Sequence, residues 1–143
     1  MLESLRIISF VHHAVPHHES VYIEVGEYVI PKGSGVFPSL ISIMYDPIHF
    51  PKPHDFKPEW FLDDNVKYET HDHVIEFGVG KRCCWGKALA EKEFFLFLVR
   101  ILQKFDMTPA PDPEIPCYNI DYKPTANIVR GCPPYEMILS FRI

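Results

Sequence analysis

The sequence lacks the features that mark membrane-spanning and nucleic-acid-binding proteins. Its densest apolar run, residues 94–99, is far shorter than the roughly 20 residues that a membrane-spanning helix needs. The net charge is −5 and no block of like charges occurs, so no nucleic-acid partner is expected. Glu3 stands where a secretory leader carries basic residues, which predicts no signal peptide.

Cysteine is scarce, and its spacing excludes the common zinc patterns. The chain has four cysteines, none of them in a C-x-x-C pair, so a structural zinc site is weakly supported. Without a signal peptide a reducing compartment is expected, which argues against disulfides. A disulfide between the adjacent Cys83 and Cys84 would also be strained.

Glycine is half as frequent as proline, seven residues against 14, which predicts stiff turns and few long regular elements. The 143 residues are 47% hydrophobic, enough for one domain, 1–143, with a core. Apolar spacing predicts helices over 1–9 and 86–104, the second so apolar that burial on nearly all sides is expected. The other predicted elements are two strands within 20–30 that meet at Gly26, a strand at 36–43, a winding Pro-rich loop over 45–64, and a final hairpin of 127–129 with 137–143.

One short loop carries most of the chemical information in the chain. Residues 77–86, Phe-Gly-Val-Gly-Lys-Arg-Cys-Cys-Trp-Gly, fit the pattern Phe-x-x-Gly-x-Arg-x-Cys-x-Gly at every fixed position. Such a match arises by chance on the order of once in ten thousand chains of this length. The residues at the fixed positions are therefore interpreted together: Phe77, Gly80, Arg82, Cys84 and Gly86.

This loop resembles the haem-binding loop of a known protein family, and its residue types suit a thiolate that ligates a haem iron. Cys84 precedes a predicted helix, whose first N–H groups can stabilise an anion. Arg82 can donate two parallel hydrogen bonds to a carboxylate, and Phe77 can shield the sulfur from water. Gly80 and Gly86 permit conformations or close approaches that a Cβ would block. Singly, each residue is more simply an ordinary core or loop residue; the combination favours the haem ligand.

The loop resembles the haem-binding loop of the cytochrome P450 family, the haem-thiolate monooxygenases. The resemblance implies that Cys84, and not its neighbour Cys83, is the axial iron ligand of haem b. It implies cofactor-binding roles for the other four fixed positions. His17 matches a second propionate contact, although a solvated histidine is equally compatible with the sequence.

Two further segments resemble the scaffold behind the haem in this family. Glu3 and Arg6 form a Glu-x-x-Arg, the pattern of the family's K helix, and can pair on one helix face. A surface ion pair is the common alternative explanation. Residues 58–61 match a segment that usually carries Arg or His where this chain has Trp60. Because indole carries no charge, the network is predicted to be a pair and not a triad.

The resemblance also implies the surroundings of the haem. Predicted substrate-pocket residues are His13, Ala14, Val15, Val129, Arg130 and Gly131. A basic face, Lys81, Lys87 and Lys92, is expected to receive NADPH–cytochrome P450 reductase, with helix-end solubility as the alternative. The implied reaction inserts one oxygen atom of O2 into a small apolar substrate, using electrons from NADPH. No catalytic residue beyond the ligand is assigned within the chain.

The eight histidines raise the alternative of a metal site. His12-His13, His17-His18 and His71-x-His73 are adjacent or closely spaced. They fall in predicted loops and strand ends without fixed helical spacing, so solvated side chains are the favoured interpretation.

The resemblance covers nearly the whole chain but only the C-terminal part of the family fold. The expected class is α+β: two helices, small mixed sheets and a long Pro-rich loop leading to the cysteine loop. Likeness to animal microsomal members implies the cytoplasmic face of the endoplasmic reticulum membrane, with the distal helices and N-terminal anchor expected to be absent. We therefore expect the isolated chain to be aggregation-prone and inactive. The alternatives are a non-catalytic truncated remnant with at most weak haem binding, or a small Cys/His metal-binding module.

Overall fold

The computed structural model describes residues 1–111, 129–131 and 135–142. Within them lie three α-helices, two 3₁₀ turns, and six strands in three antiparallel two-stranded sheets. The helices are α1 (Leu2–Ile8), α2 (Leu40–Met44) and α3 (Lys87–Lys104), and the turns are Pro58–Phe61 and Gly80–Arg82. The sheets pair β1 (His17–His18) with β4 (Gly35–Val36), β2 (Ile23–Val25) with β3 (Tyr28–Ile30), and β5 (Phe105–Pro109) with β6 (Met137–Phe141). The predicted α+β class is confirmed.

Two local predictions are confirmed because the sequence signals are strong. Residues 20–30 contain β2 and β3, and the turn between them places Gly26 at a φ of 58°. Glycine adopts this left-handed conformation without the steric cost of a Cβ. The long helix predicted over 86–104 is α3, which begins directly after Gly86.

The strand predicted at 36–43 is wrong, since β4 ends at Val36 and α2 follows. Leu40 and Met44 lie one helical turn apart, so a helix places both side chains on one face. Both are buried there and pack with Ile75 in the hydrophobic core. The β-branched Ile41 and Ile43 suggested a strand, but burial of the Leu40–Met44 face outweighs that local preference.

The last strand forms as predicted but has a different partner. β6 pairs with β5, and the ring centroids of Phe105 and Phe141 lie 4.9 Å apart across the two strands. The predicted partner was 127–129. Val129 instead makes an isolated bridge with Val11, while residues 127 and 128 lie outside the described residues. A partner far along the chain leaves no local sequence signal, which explains the error.

Helix α1 buries its charged residues and turns apolar ones toward a cavity. Glu3 and Arg6 are 1% and 0% exposed. Leu5 is partly buried and Ile8 is 47% exposed, and both line the cavity described below. Helix α1 therefore owes its position to a polar network on one side and leaves an apolar wall on the other.

The guanidinium of Arg6 has an acceptor for each of its five N–H donors. Two parallel bonds of 2.7 Å reach the carboxylate oxygens of Glu3. The other three reach the backbone carbonyls of Met44 (3.0 Å), Pro53 (2.8 Å) and Asp55 (3.2 Å). A buried arginine is tolerated only when paired and hydrogen-bonded in this way. The predicted pair exists, and it is buried and not a surface ion pair.

Trp60 joins this network through its ring face. The centre of the Arg6 guanidinium lies 4.8 Å from the Trp60 ring centroid and 5.0 Å from that of Phe50, distances typical of cation–π contacts. The Glu3 carboxylate also accepts a 2.8 Å hydrogen bond from the backbone N–H of Lys57. The network thus contains more than the predicted pair, although Trp60 adds no charge.

Helix α3 is more exposed than its sequence predicts. None of its residues is buried, and the exposed fractions of Phe95, Leu96 and Phe97 are 54%, 57% and 68%. The expected burial on nearly all sides is therefore wrong for this chain, because the described residues do not provide enough packing partners. Within residues 1–111, 129–131 and 135–142, no helix has the length and hydropathy required to cross a bilayer.

Three loop histidines pack against neighbours, contrary to the expectation of solvated side chains. The rings of His49 and His73 are stacked with their centroids 3.5 Å apart, and the ring centroid of His71 lies 4.6 Å from that of Phe50. Burial is the largest cause that lowers the pKa of His71, and the charges of His73 and His49 lower it further. These effects favour the neutral imidazole ring. In the part of the chain that the structure describes, no three His, Cys, Asp or Glu side chains are grouped to hold a metal ion.

Replacing Arg6 by alanine should unfold the chain or lower its free energy of unfolding by about 3–5 kcal/mol, because the Glu3 carboxylate would stay buried and unpaired. Arg142→Ala is the matched control. Arg142 makes a 2.6 Å ion pair with Asp106 in which both side chains are more than half exposed, so a loss of about 0–1 kcal/mol is expected. Pulse proteolysis in urea measures the free energy of unfolding of both variants. Equal losses in Arg6→Ala and Arg142→Ala would contradict the structural role of Arg6.

Candidate functional site

The cysteine loop is closed by its own backbone. The N–H of Cys84 donates to the carbonyl of Phe77 over 2.8 Å, and the N–H of Cys83 donates to that of Gly80 over 3.2 Å. The Cys84 carbonyl in turn accepts from the N–H of Lys87, the first residue of α3, over 3.3 Å. Both thiols are free, and Cys84 is exposed while Cys83 is partly buried. The loop therefore fixes Cys84 immediately before a helix, as the sequence predicted.

Two glycines in this loop require the left-handed backbone region. Gly78 and Gly80 have φ values of 75° and 67°, where other residues are strained. Gly78 was not singled out in the sequence. Gly86 has an ordinary φ of −78°, and a Cβ there would lie 3.7 Å from the Cys84 sulfur, a normal van der Waals contact. Backbone conformation therefore disfavours a Cβ at Gly80, whereas neither conformation nor contact excludes one at Gly86.

A cavity of about 770 Å³ lies between α1, residues 10–17 and the cysteine loop. This volume is within the range of small-molecule and cofactor sites. Its apolar wall includes Leu5, Ile8, Phe10, Val11, Leu40 and Phe94. Its polar or ionisable lining groups are His17, Glu76, Lys81, Arg82, Cys83 and Cys84. The cavity thus joins an apolar surface to two thiols, two cationic side chains, an imidazole and a carboxyl group.

The structure brings together six of the predicted cofactor and pocket residues. Those that line the cavity are Ala14, Val15, His17, Phe77, Arg82 and Cys84. Lys81, predicted for the partner-facing surface, also lines it. These residues come from two segments far apart in the chain, 14–17 and 77–84, so their meeting depends on the tertiary structure.

Four other predicted pocket residues do not line the cavity. His13 bridges to Ser39, and Val129 bridges to Val11. Arg130 donates to the carbonyl of Ile8 over 3.3 Å, at the end of α1. His13, Val129 and Arg130, which the sequence assigned to the pocket, are not among the residues that line this cavity. Gly131, also predicted, is not among the lining residues.

Sequence reasoning missed several lining residues, most notably Glu76 and Cys83. Glu76 directly precedes the motif and resembled a loop carboxylate. Burial raises the pKa of Glu76 above the usual glutamate value. A hydrogen bond from its own backbone and the charge of Lys87 act in the opposite direction, and Glu91 adds to the rise.

The chemistry of the lining fits haem. A free thiol can supply the iron ligand, the apolar wall matches a porphyrin ring, and Arg82 and His17 can hydrogen-bond its carboxylates.

Comparison with known proteins supports the family that the cysteine loop indicated. The family model described as Cytochrome P450 matches residues 1–138. Cytochrome P450 2E1 of Sus scrofa is 40% identical over 133 residues, 93% of this chain, and cytochrome P450 2C3 of Oryctolagus cuniculus is 40% identical over 138 residues, 96% of it. This chain belongs to the cytochrome P450 family, as the sequence predicted. It spans about a quarter of the length of these two relatives, 26% and 27%.

Gly80→Ala should lower the free energy of unfolding by about 1–2 kcal/mol, the cost of a Cβ in a left-handed conformation. A Cβ there would meet no atom within 4 Å, so the penalty is conformational alone. Gly86→Ala, in the same loop, should cost about 0.5 kcal/mol or less. Urea unfolding followed by circular dichroism compares the two, and a larger effect at Gly86 would contradict this description of the loop.

Proposed function

We propose that this chain supplies the thiolate-bearing side of a haem monooxygenase site, with Cys84 as the axial iron ligand. The supporting observation is that the free Cys84 thiol lines an apolar cavity together with Arg82 and His17. When bound, haem supplies oxygen activation, and a thiolate ligand favours O–O cleavage. Membership of the cytochrome P450 family supports the same assignment.

Each residue of the loop has a distinct proposed task. The carbonyl of Phe77 accepts the N–H of Cys84, and the Phe77 ring, which lines the same cavity, would shield the sulfur once haem is bound. Arg82 holds one propionate by charge-assisted hydrogen bonds, and His17 holds the other. Ala14 and Val15 contribute apolar surface on the substrate side.

The proposed reaction places one oxygen atom of O2 in a small apolar substrate. Electrons would come from NADPH through NADPH–cytochrome P450 reductase, at the cytoplasmic face of the endoplasmic reticulum membrane. The 143-residue chain alone is expected to be inactive and aggregation-prone, which the exposed phenylalanines of α3 support. A non-catalytic remnant with weak haem binding is the second candidate, favoured by the same exposed helix.

Titration of the purified chain with haemin tests the ligand assignment. The reduced carbon-monoxide complex should show a thiolate-type Soret band, because a coordinated thiolate changes the electronics of the iron. Cys84→Ala should abolish that band. Cys83→Ala should keep it, and this adjacent thiol is the matched control. A band that persists in Cys84→Ala, or that disappears only in Cys83→Ala, would refute Cys84 as the ligand.

The reductase is proposed to dock on the basic residues near the cysteine loop, Lys81, Lys87 and Lys92. Lys87 lies 4.0 Å from Glu91 on the next turn of α3, so its charge already interacts within the chain. Lys92 is exposed, which makes it the cleaner site for testing docking.

Reversal of one charge at this surface should slow electron transfer. In the haem-loaded chain, Lys92→Glu should reduce the rate of reduction by the reductase several-fold at low salt, with the difference shrinking as salt screens the charges. Lys32→Glu makes the same charge change in the turn before β4 and should leave the rate unchanged. The same rate and salt dependence for Lys92→Glu and the unmodified chain would reject this docking surface.

A further inference from the structure

Three histidines, His49, His71 and His73, form a cluster to which the proposed function gives no task. The stacked rings of His49 and His73 have centroids 3.5 Å apart, and the ring of His71 meets that of His73 edge-on at 5.4 Å. All three residues are partly buried. Among the described residues no such group is arranged to hold a metal ion, so metal binding does not account for this histidine cluster.

A hydrogen bond within the histidine cluster requires a neutral His71. The Nδ1 atom of His71 accepts a 3.3 Å hydrogen bond from the backbone N–H of His73. An imidazolium ring carries a proton on both nitrogens and cannot accept this bond. Protonation of His71 would therefore break the bond and place a positive charge in the cluster at the same time.

The packing of the rings also favours neutral histidines. Two imidazolium rings stacked as His49 and His73 are would repel each other at close range. The fully buried ring of Phe50 lies 4.6 Å from that of His71 and 5.0 Å from the guanidinium of Arg6. A charge on His71 would thus be a second cation beside a ring that already contacts one.

The charged groups around His71 act in both directions. Burial is the largest effect that lowers its pKa, followed by the charges of His73 and His49, while Asp72 and Glu69 raise it. Both carboxylates belong to exposed residues, where water weakens their attraction for a charged ring. The net direction is a lowered pKa, in agreement with the hydrogen bond that the neutral ring of His71 accepts.

The histidine cluster joins two segments next to the cysteine loop. His49 belongs to the Pro-rich loop that follows α2, and residues 71–73 lead to Ile75, which packs against α2 in the hydrophobic core. The carbonyl of Ile75 accepts a 2.7 Å hydrogen bond from the N–H of Gly78, inside the cysteine loop. The start of the cysteine loop is therefore anchored beside the cluster.

We propose that the histidine cluster is an acid-sensitive contact, which holds the segment before the cysteine loop against the Pro-rich loop when its rings are neutral and releases that segment when they are protonated. This contact is independent of the proposed function, because neither haem nor Cys84 takes part in it.

The direction of the pH dependence follows from linkage. Since the folded chain lowers the pKa of His71 below the usual 6.5, the unfolded chain binds more protons in mildly acidic solution. The stability that His71 contributes is complete above the unfolded pKa. It is lost as the pH falls through the unfolded pKa and then the folded one.

Urea unfolding of the full chain, followed by circular dichroism, tests this dependence. His71→Asn keeps a hydrogen-bond acceptor but cannot be protonated. Because asparagine packs less well against Phe50, the change with pH is compared and not the absolute stability. From about pH 7.5 to about pH 5.0 the unfolding equilibrium constant should rise about threefold or more in the wild type relative to His71→Asn. His12, whose pKa is also lowered by burial, is present in both chains and cancels from the comparison.

Hydrogen–deuterium exchange followed by mass spectrometry gives a local measurement. In the acidic sample, peptides from residues 71–77 should exchange faster in the wild type than in His71→Asn, because the segment opens when the cluster is charged. His18→Asn removes an exposed histidine of β1, outside the cluster, and should follow the wild type in both measurements.

Equal pH dependence of the wild type and His71→Asn would overturn the proposal, and so would a loss of the dependence in His18→Asn. If His71→Asn does not fold, His73→Phe takes its place. This variant keeps an aromatic ring on His49 and the backbone N–H donor but removes one charge from the cluster, so its loss of stability in acid should be smaller than that of the wild type. An unchanged profile in His73→Phe would equally overturn the proposal and would leave Cys84 as the proposed ligand.

Discussion

The buried pair of Glu3 and Arg6 positions the rest of this structure. Its guanidinium binds three carbonyls of residues 44–55, so one side chain of α1 connects the end of α2 to the middle of the Pro-rich loop. A buried ion pair adds little net stability compared with apolar packing, but its directional bonds permit few alternative arrangements. Proline-rich segments have few backbone hydrogen bonds of their own, and here a side chain supplies the missing donors.

This network also explains why α1 is oriented as it is. An amphipathic helix normally buries its apolar face, yet here the buried side holds the charged Glu3 and Arg6 together with Ile7. Leu5 and Ile8 remain available as a wall of the cavity. The scaffold and the candidate site are therefore two faces of one short helix, which links the integrity of the ion pair to the shape of the site.

The cavity combines two kinds of environment that would suit the proposed thiolate ligand. Apolar residues form much of the cavity that the Cys84 thiol lines, while loop hydrogen bonds and the start of α3 fix its backbone. The same low polarity acts on Glu76 and favours its neutral form. The electrostatic balance of the site thus extends beyond the motif, to Lys87 and Glu91 on the first turns of the helix that follows it.

Sequence and tertiary structure decided different features of this protein. The family, the cysteine loop, α3 and the β2–β3 turn could be predicted from the sequence, because each depends on residues close together in the chain. The partner of β6, the helix at Leu40–Met44 and the packing of His71 could not, since each depends on contacts with distant residues. Among the candidate site residues, Cys84 was evident from its motif, whereas Glu76 became visible only through burial. Spacing identifies a ligand loop, but only the folded chain determines which side chains face the same cavity and which charges they experience there.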